Sequence, residues 1–394
     1  MTAVADRLNR LSHPNLVIAL VFLGAALVFP FFLDSGATQM QTAVQALAYV
    51  AMALGLNLIV GFAGLLDLGY VAFFALGAYT MGWLGSGFFA GAGGGEGVAI
   101  LVTGPAADLP GVHANFLLIV VAAIVVTTIA GMLIGLPTLR LRGDYIAIVT
   151  LAFGEIVGRI AINGDQIGLP GTAESLTAGR QGITPVDKIK LPFLDQFQAL
   201  DLRPWYFVAL AMVVLVLIVN FQLRDSRLGR AWVAMREDEV AAVSMGVPLV
   251  KTKLLAYGTG AAFGGVSGAF LASFLNTVNA DQFQFSFSIF ILAMVILGGL
   301  ASIWGSVVGA IALAIINFYL IPDVFNDVPS KIGLDFDLTE LSFGIFGFLL
   351  VIMMVLRPQG LIPERRRRLE LTEGIGTGDT TGVGGPETVV EARG

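Results

Sequence analysis

Long apolar runs follow one another along most of the chain, parted by short polar junctions, and within the runs apolar positions do not alternate with polar ones. Barrel strands would alternate over segments of about ten residues. Uninterrupted runs are the mark of membrane helices, which rise about 1.5 Å per residue and need about 20 residues to cross a hydrocarbon core of about 30 Å. Ten candidate spans follow, at residues 15–33, 41–60, 65–84, 115–136, 145–162, 204–221, 254–274, 285–300, 304–320 and 341–356. The pattern predicts an all-α polytopic membrane protein, with one membrane domain over residues 1–363 and a tail over 364–394. The tail is basic at 365–368 and Gly/Thr-rich from Thr372 onward. It has too little apolar surface to fold and is expected to be disordered.

One stretch departs from this pattern. Residues 223–253 hold six Lys or Arg and four Asp or Glu between two long apolar runs. A polar island of this kind between spans must sit in water, and its cations assign it to the cytoplasmic side. Inside it Glu237, Asp238 and Glu239 lead a run of helix formers, Gly246 stops the run and Pro248 follows, which predicts a short helix. In a free loop Trp232, Val233, Met235, Val240, Val243 and Met245 would expose an apolar patch rimmed by charge, the usual sign of a protein contact. The alternative is a solvated loop helix. The contact reading is preferred, with Arg236, Glu237, Asp238, Glu239, Ala241, Ala242 and Gly246 as the candidate coupling surface.

Charge supports this arrangement. Only 13% of residues are charged and 56% are hydrophobic, with mean hydropathy +0.86, whereas a soluble domain carries about 25% charged residues. From a cytoplasmic N-terminus, ten spans place Arg140 and Arg142, the island and the 365–368 run all inside, and the 86–114 loop, without Lys or Arg, outside. The 163–204 loop, with Arg180, Lys188, Lys190 and Arg203, also falls outside, which longer loops tolerate. Both termini are then cytoplasmic, and the first run, lacking a small-residue cleavage site, reads as a retained span.

Two junctions are too short for ordinary turns, GFAG at 61–64 and GGLASIWG at 298–305. Helices broken inside the membrane are tolerated where protein or a water-filled cavity lies beside them, and paired breaks in two halves point to a transport site. Polar groups at these depths are few. Asn57 and Asp67 flank the first break, and a carboxylate deep in hydrocarbon costs at least about 2.5–3.5 kcal/mol. Asn57, Gly61, Gly64 and Asp67 are therefore candidates for a substrate path, while Asp67 could equally cap a helix start. Glu155, in the fifth span, reads as an interhelical hydrogen-bonding group, and Gly260, Gly264, Gly265 and Gly268 read as helix packing.

Catalysis has little support. No Gly-Lys-Ser or Gly-Lys-Thr follows a glycine-rich loop, no GxSxG elbow is present, and the two histidines, His13 and His113, lie beside loop residues. The absence of cysteine excludes disulfides and thiolate metal sites. No metal, cofactor or nucleic acid is expected to bind. A membrane-embedded enzyme would need a cluster of catalytic groups that the runs lack. An ion-coupled secondary transporter would need no docking helix and would carry several intramembrane charges.

Several strings resemble the branched-chain amino acid permeases of ATP-binding-cassette importers. They are GLNLIVGFAGLLDLGYVAFFALGAY at 55–79, LRLRGDYIAIVTLAFGEIV at 139–157, GRAWVAMREDEVAAVSMGV at 229–247 and RPQGLIP at 357–363. Ala241, Ala242 and Gly246 resemble the EAA loop of such permeases, with Glu239 one position early. The resemblance covers about residues 41–363 and fits the LivM type. It implies a non-enzymatic inner-membrane subunit that pairs with a homologous LivH-type permease. It also implies two ATPases that hydrolyse ATP and bind the EAA loops, and a periplasmic binding protein that delivers leucine, isoleucine or valine. Related permeases carry urea or short amides. Asp67 stands where many members have Ser, and 163–184 departs from the family's Thr-Gly-Gly-rich stretch.

Overall fold

Each apolar run becomes a helix whose ends are set by a few polar or turn-forming residues. The computed structural model describes residues 23–102, 109–139, 141, 143–168, 175–190, 197–198, 201–326, 341–357 and 359–362. Residues 23–28 are helical and run into a tight turn at Phe29–Phe31. The main elements are α1 (Thr38–Asn57), α2 (Val71–Leu84), α3 (Phe116–Thr138), α4 (Asp144–Asn163) and α5 (Arg203–Asp225), then α6 (Arg227–Glu237) and α7 (Glu239–Ser244). These are followed by α8 (Leu249–Leu275), α9 (Phe285–Gly298), α10 (Ile303–Ile315) and α11 (Ser342–Leu356). Wide π-helical turns prolong α1 over Leu58–Phe62 and α10 over Ile316–Phe325. Side chains fix several of the starts: Asn115 caps α3, Ser226 caps α6, Asp238 caps α7 and Ser302 caps α10, each accepting from a backbone N–H in the first turn.

Among the described residues six helices are long and apolar enough to cross a membrane, and α2, α9 and α11 are shorter apolar helices. The all-α polytopic reading therefore holds. The third candidate span differs: residues 65–70 are not helical and α2 begins only at Val71. The eighth ends at Gly298, because Gly299 takes φ +120° and leaves the helix. At 14 residues each, α2 and α9 are about 21 Å long, short of a full crossing. Of the first candidate span, residues 15–22 lie outside the described residues, as do Arg140, Arg142 and the tail from 363.

Buried α1 and α8 form the centre, with α2, α9 and α10 against them, while α3, α4, α5 and α11 carry exposed apolar faces. The α8 glycines act as packing residues. A Cβ on Gly77 would strike the backbone of Gly265, and one on Gly268 the carbonyl of Phe74, so α2 and α8 meet backbone to backbone. Ser267 donates to the Ala48 carbonyl (2.7 Å) and Tyr70 to the Gly260 carbonyl (2.9 Å), which fixes the register of α8 against α1 and α2.

At the end of the bundle remote from α6 and α7, strands β1 (Gly85–Ser86), β2 (Val98–Ile100) and β3 (Val112–Ala114) form a small sheet in the order β1-β3-β2. β1 runs antiparallel and β2 parallel to β3. His113 pairs with Asp187 at 2.7 Å, and Ser273 donates to the Asp187 carbonyl, so two loops and the end of α8 are tied together.

Candidate functional site

The first break is an ordered turn whose backbone is satisfied by its surroundings. After the wide turn at Leu58–Phe62, Gly64 adopts φ +70° and the chain leaves the helix. The Ala63 and Leu65 N–H groups return to the Leu58 and Ile59 carbonyls. Leu68 N–H donates to Thr150 Oγ1 of α4 (3.0 Å), Gly69 N–H to Asp67 Oδ1 (2.8 Å) and Val71 N–H to Ser288 Oγ of α9 (3.0 Å). A non-helical stretch in an apolar bundle persists only when its donors find such partners. Thr150 and Ser288 were not picked out in the sequence. A single hydroxyl in an apolar run looks the same whether it bonds its own helix or another chain segment.

The second break lies directly against the first. Asn57 is fully buried; its Oδ1 accepts from Ala301 N–H (2.9 Å) and its Nδ2 donates to the Ser302 carbonyl (3.4 Å). A Cβ on Gly61 would collide with Ala301, so only glycine allows this approach. The two glycine-rich junctions, some 240 residues apart in sequence, are thus one structural feature held by one amide. Residues 359–362 complete it: Leu361 and Ile362 donate to the Leu297 and Gly298 carbonyls (2.8 and 2.9 Å), capping the C-terminal end of α9.

The island sits on these breaks. It folds as two helices, not one. Ser226 joins α5 to α6 by accepting from Leu228 and Gly229 N–H while donating to the Leu223 carbonyl, and Asp238 starts α7 by accepting from Val240 and Ala241 N–H. Gly246, at φ +87°, ends α7, with Gly246 and Val247 N–H returning to the Val243 and Ala242 carbonyls. Arg236 reaches out of α6 and donates to the Gly61 carbonyl at 2.7 Å, while its stem lies over Gly64. Glu239 pairs at 2.6 Å with buried Lys253 of α8. Trp232 is buried and donates to the Thr252 carbonyl (2.9 Å).

The seven candidate coupling residues therefore divide. Arg236, Glu239 and Ala242 face the bundle, whereas Glu237, Asp238, Ala241 and Gly246 face outward. The expected apolar patch is narrower than six residues. Trp232 and Met235 turn inward and Val233 is half-buried, so Val240, Val243 and Met245 remain exposed. An open cleft of about 330 Å³ separates break and island, lined by Ala63, Gly64, Ile146, Arg236 and Val240 among others.

Asp67 is buried in the turn ahead of α2. It does not occupy the N-cap, which is Tyr70; it shapes the approach through its bond to Gly69, and its Oδ2 has no partner among the described residues. Glu155 departs from expectation. It is exposed on α4 and makes no interhelical hydrogen bond among the described residues.

The comparisons with known proteins decide the family. A profile described as "Branched-chain amino acid transport system / permease component" matches residues 39–354. The chain belongs to that permease family. The permease is 34% identical over 383 residues to the high-affinity branched-chain amino acid transport system permease protein LivM of Escherichia coli K12, covering 92% of this chain and 78% of the relative. It is 27% identical over 255 residues to a probable LivM of Methanocaldococcus jannaschii, covering 63% and 69%. It is also 30% identical over 147 residues to the E. coli K12 permease protein LivH, covering 36% and 46%. No solved structure matches the permease. It is a multi-pass membrane protein of the LivM type, a class of transport permease components and not of enzymes.

Proposed function

We propose that this permease is the membrane subunit of an ATP-driven importer of leucine, isoleucine and valine. In this reading it sits in a bacterial inner membrane with both termini and the α6–α7 island in the cytoplasm. A LivH-type permease completes the path, a periplasmic binding protein delivers the amino acid, and of two cytoplasmic ATPases one docks on the outward face of α6–α7 and the other on the LivH-type subunit. ATP is hydrolysed on those partners, and no cofactor or metal is assigned to this chain.

One observation carries the proposal: Arg236 of the island is bonded directly to the backbone of the first break, which Asn57 in turn fastens to the second. A displacement of α6 therefore acts on the Asn57–Asp67 segment without any intervening flexible loop. Val243, Met245, Glu237 and Gly246 supply the docking surface, while Arg236 and the Glu239–Lys253 pair transmit its movement. The segment with Asn57, Gly61, Gly64 and Asp67 forms the inner wall of the path and changes shape when α6 moves. A coupling helix that ended in solvent would have nothing to push, which is why the internal contacts of Arg236 matter more than the charge of the island.

The test is uptake of labelled leucine by the reconstituted complex of both permeases, the ATPases and the binding protein. ATP-dependent uptake, competed by isoleucine and valine but not by urea or by acidic or basic amino acids, is expected. Uptake competed by urea alone would transfer the permease to the urea and amide carriers. Solute movement by the purified chain without ATPases would overturn the importer reading altogether.

A further inference from the structure

The exposed face of α4 is chemically unlike the lipid-type faces of the same molecule. Along α3 the outward residues, including Val121, Val125, Ile129 and Leu133, are aliphatic, and the helix has no charged residue. On α4 the outward stripe passes from Ile148 through Glu155 and Arg159 to Asn163. Glu155 stands eleven residues beyond the first residue of α4 and Arg159 fifteen, about 16 and 22 Å along a helix long enough to span. Glu155 therefore lies near mid-span, and Arg159 lies one turn further on, about 6 Å short of the end of α4. Neither has an ion-pair partner among the described residues, although they lie one turn apart with opposite charge. With Ile156, Ile160 and Asn163 they line an open groove of about 370 Å³.

A carboxylate at mid-span faces water or protein, not lipid tails. An acid and a base one turn apart, flanked by isoleucines, also match the parts of an aliphatic amino-acid zwitterion: ammonium, carboxylate and apolar side chain. We infer that this face of α4 is a wall of the transport path shared with the second permease, where Glu155 receives the ammonium and Arg159 the carboxylate of the passing solute. Ile156 and Ile160 lie against its side chain. The identity of the solute rests on the importer reading; the wetness of the face does not.

The lack of native cysteine permits single thiols to be placed. In the assembled complex, with the other subunits cysteine-free, Ile156→Cys and Ile160→Cys are reacted with a membrane-impermeant methanethiosulfonate, with Val125→Cys on α3 as the lipid-facing reference. Rapid labelling at 156 and 160, slowed by leucine during turnover, is expected; labelling as slow as at 125 overturns the inference. In parallel, Glu155→Gln and Arg159→Gln should each lower leucine uptake by about tenfold or more in complexes of normal subunit composition, with partial recovery in Glu155→Asp and Arg159→Lys. Uptake that stays near the wild-type level in both glutamine variants removes the zwitterion role. Should the wild-type complex carry a different solute while 156 and 160 label rapidly, the leucine reading falls and the wet face stands.

Discussion

Asn57 uses both halves of its amide on the opposite break, and it is the residue on which the meeting of the two junctions depends. Replacing it with Leu keeps the volume but leaves the buried Ala301 N–H without an acceptor. Such an orphaned donor costs about 1–3 kcal/mol. The variant should melt at a clearly lower temperature in detergent. Asn220 is a control: it is equally buried but donates only to the Val216 carbonyl of its own helix. Asn220→Leu should change melting little, and equal shifts for the two variants would mean that Asn57 is not the staple. The same bonds show where a sequence stops being informative. That Asn57 and the 61–64 glycines belonged to a break was legible from a polar residue and two glycines in an apolar run. That their partner was Ala301 was not, because a backbone N–H leaves no trace in residue identity.

At the scale of elements, the island shows which features a linear pattern can carry. Its existence and the end of α7 before Gly246 follow from local chemistry, since Gly246 adopts the left-handed region beside the helix it delimits, whereas the expected start at Glu237 is wrong because Glu237 closes α6 and Asp238 caps α7. Which side faces the bundle does not follow. Two short helices separated by one residue change direction at Asp238, so periodicity in α6 says nothing about α7, and Trp232 and Glu239 both turned inward against a naive reading. Glu155 failed to show its role for the opposite reason: its periodicity is plain, but whether an outward face meets lipid, water or protein is settled outside this chain. The division of the island makes a prediction. Glu239→Gln leaves buried Lys253 without its counter-charge and should lower stability by about 1.5–3 kcal/mol. Val243→Lys with Met245→Lys alters exposed positions and should leave melting within about 0.5 kcal/mol of wild type while abolishing co-purification of the ATPases. Retained ATPase binding in that double variant would move the docking surface elsewhere.

For the molecule as a whole, mobility is unevenly distributed. The α2–α8 contact is backbone on backbone through Gly77, Gly265 and Gly268, and close packing of that kind resists deformation. The far end is tied by the small sheet and the His113–Asp187 pair. The compliant region is the end where the wide turn at Leu58–Phe62, two non-helical junctions and an open cleft meet beneath α6 and α7. Under the importer role, this is where a push from the ATPases becomes a change in the path, and the cleft between break and island must alter during each cycle. Ala63→Cys and Val240→Cys place thiols on its two walls, and the absence of native cysteine makes a bifunctional thiol reagent specific for that pair. The cross-linked complex should still bind ATPases, because the outward face of α7 beyond Val240 is untouched, but leucine uptake should stop and return when a cleavable linker is cut. Uptake at the uncross-linked rate would mean that island and break move as one rigid piece, and the site of conformational change would then have to be sought between the two permeases.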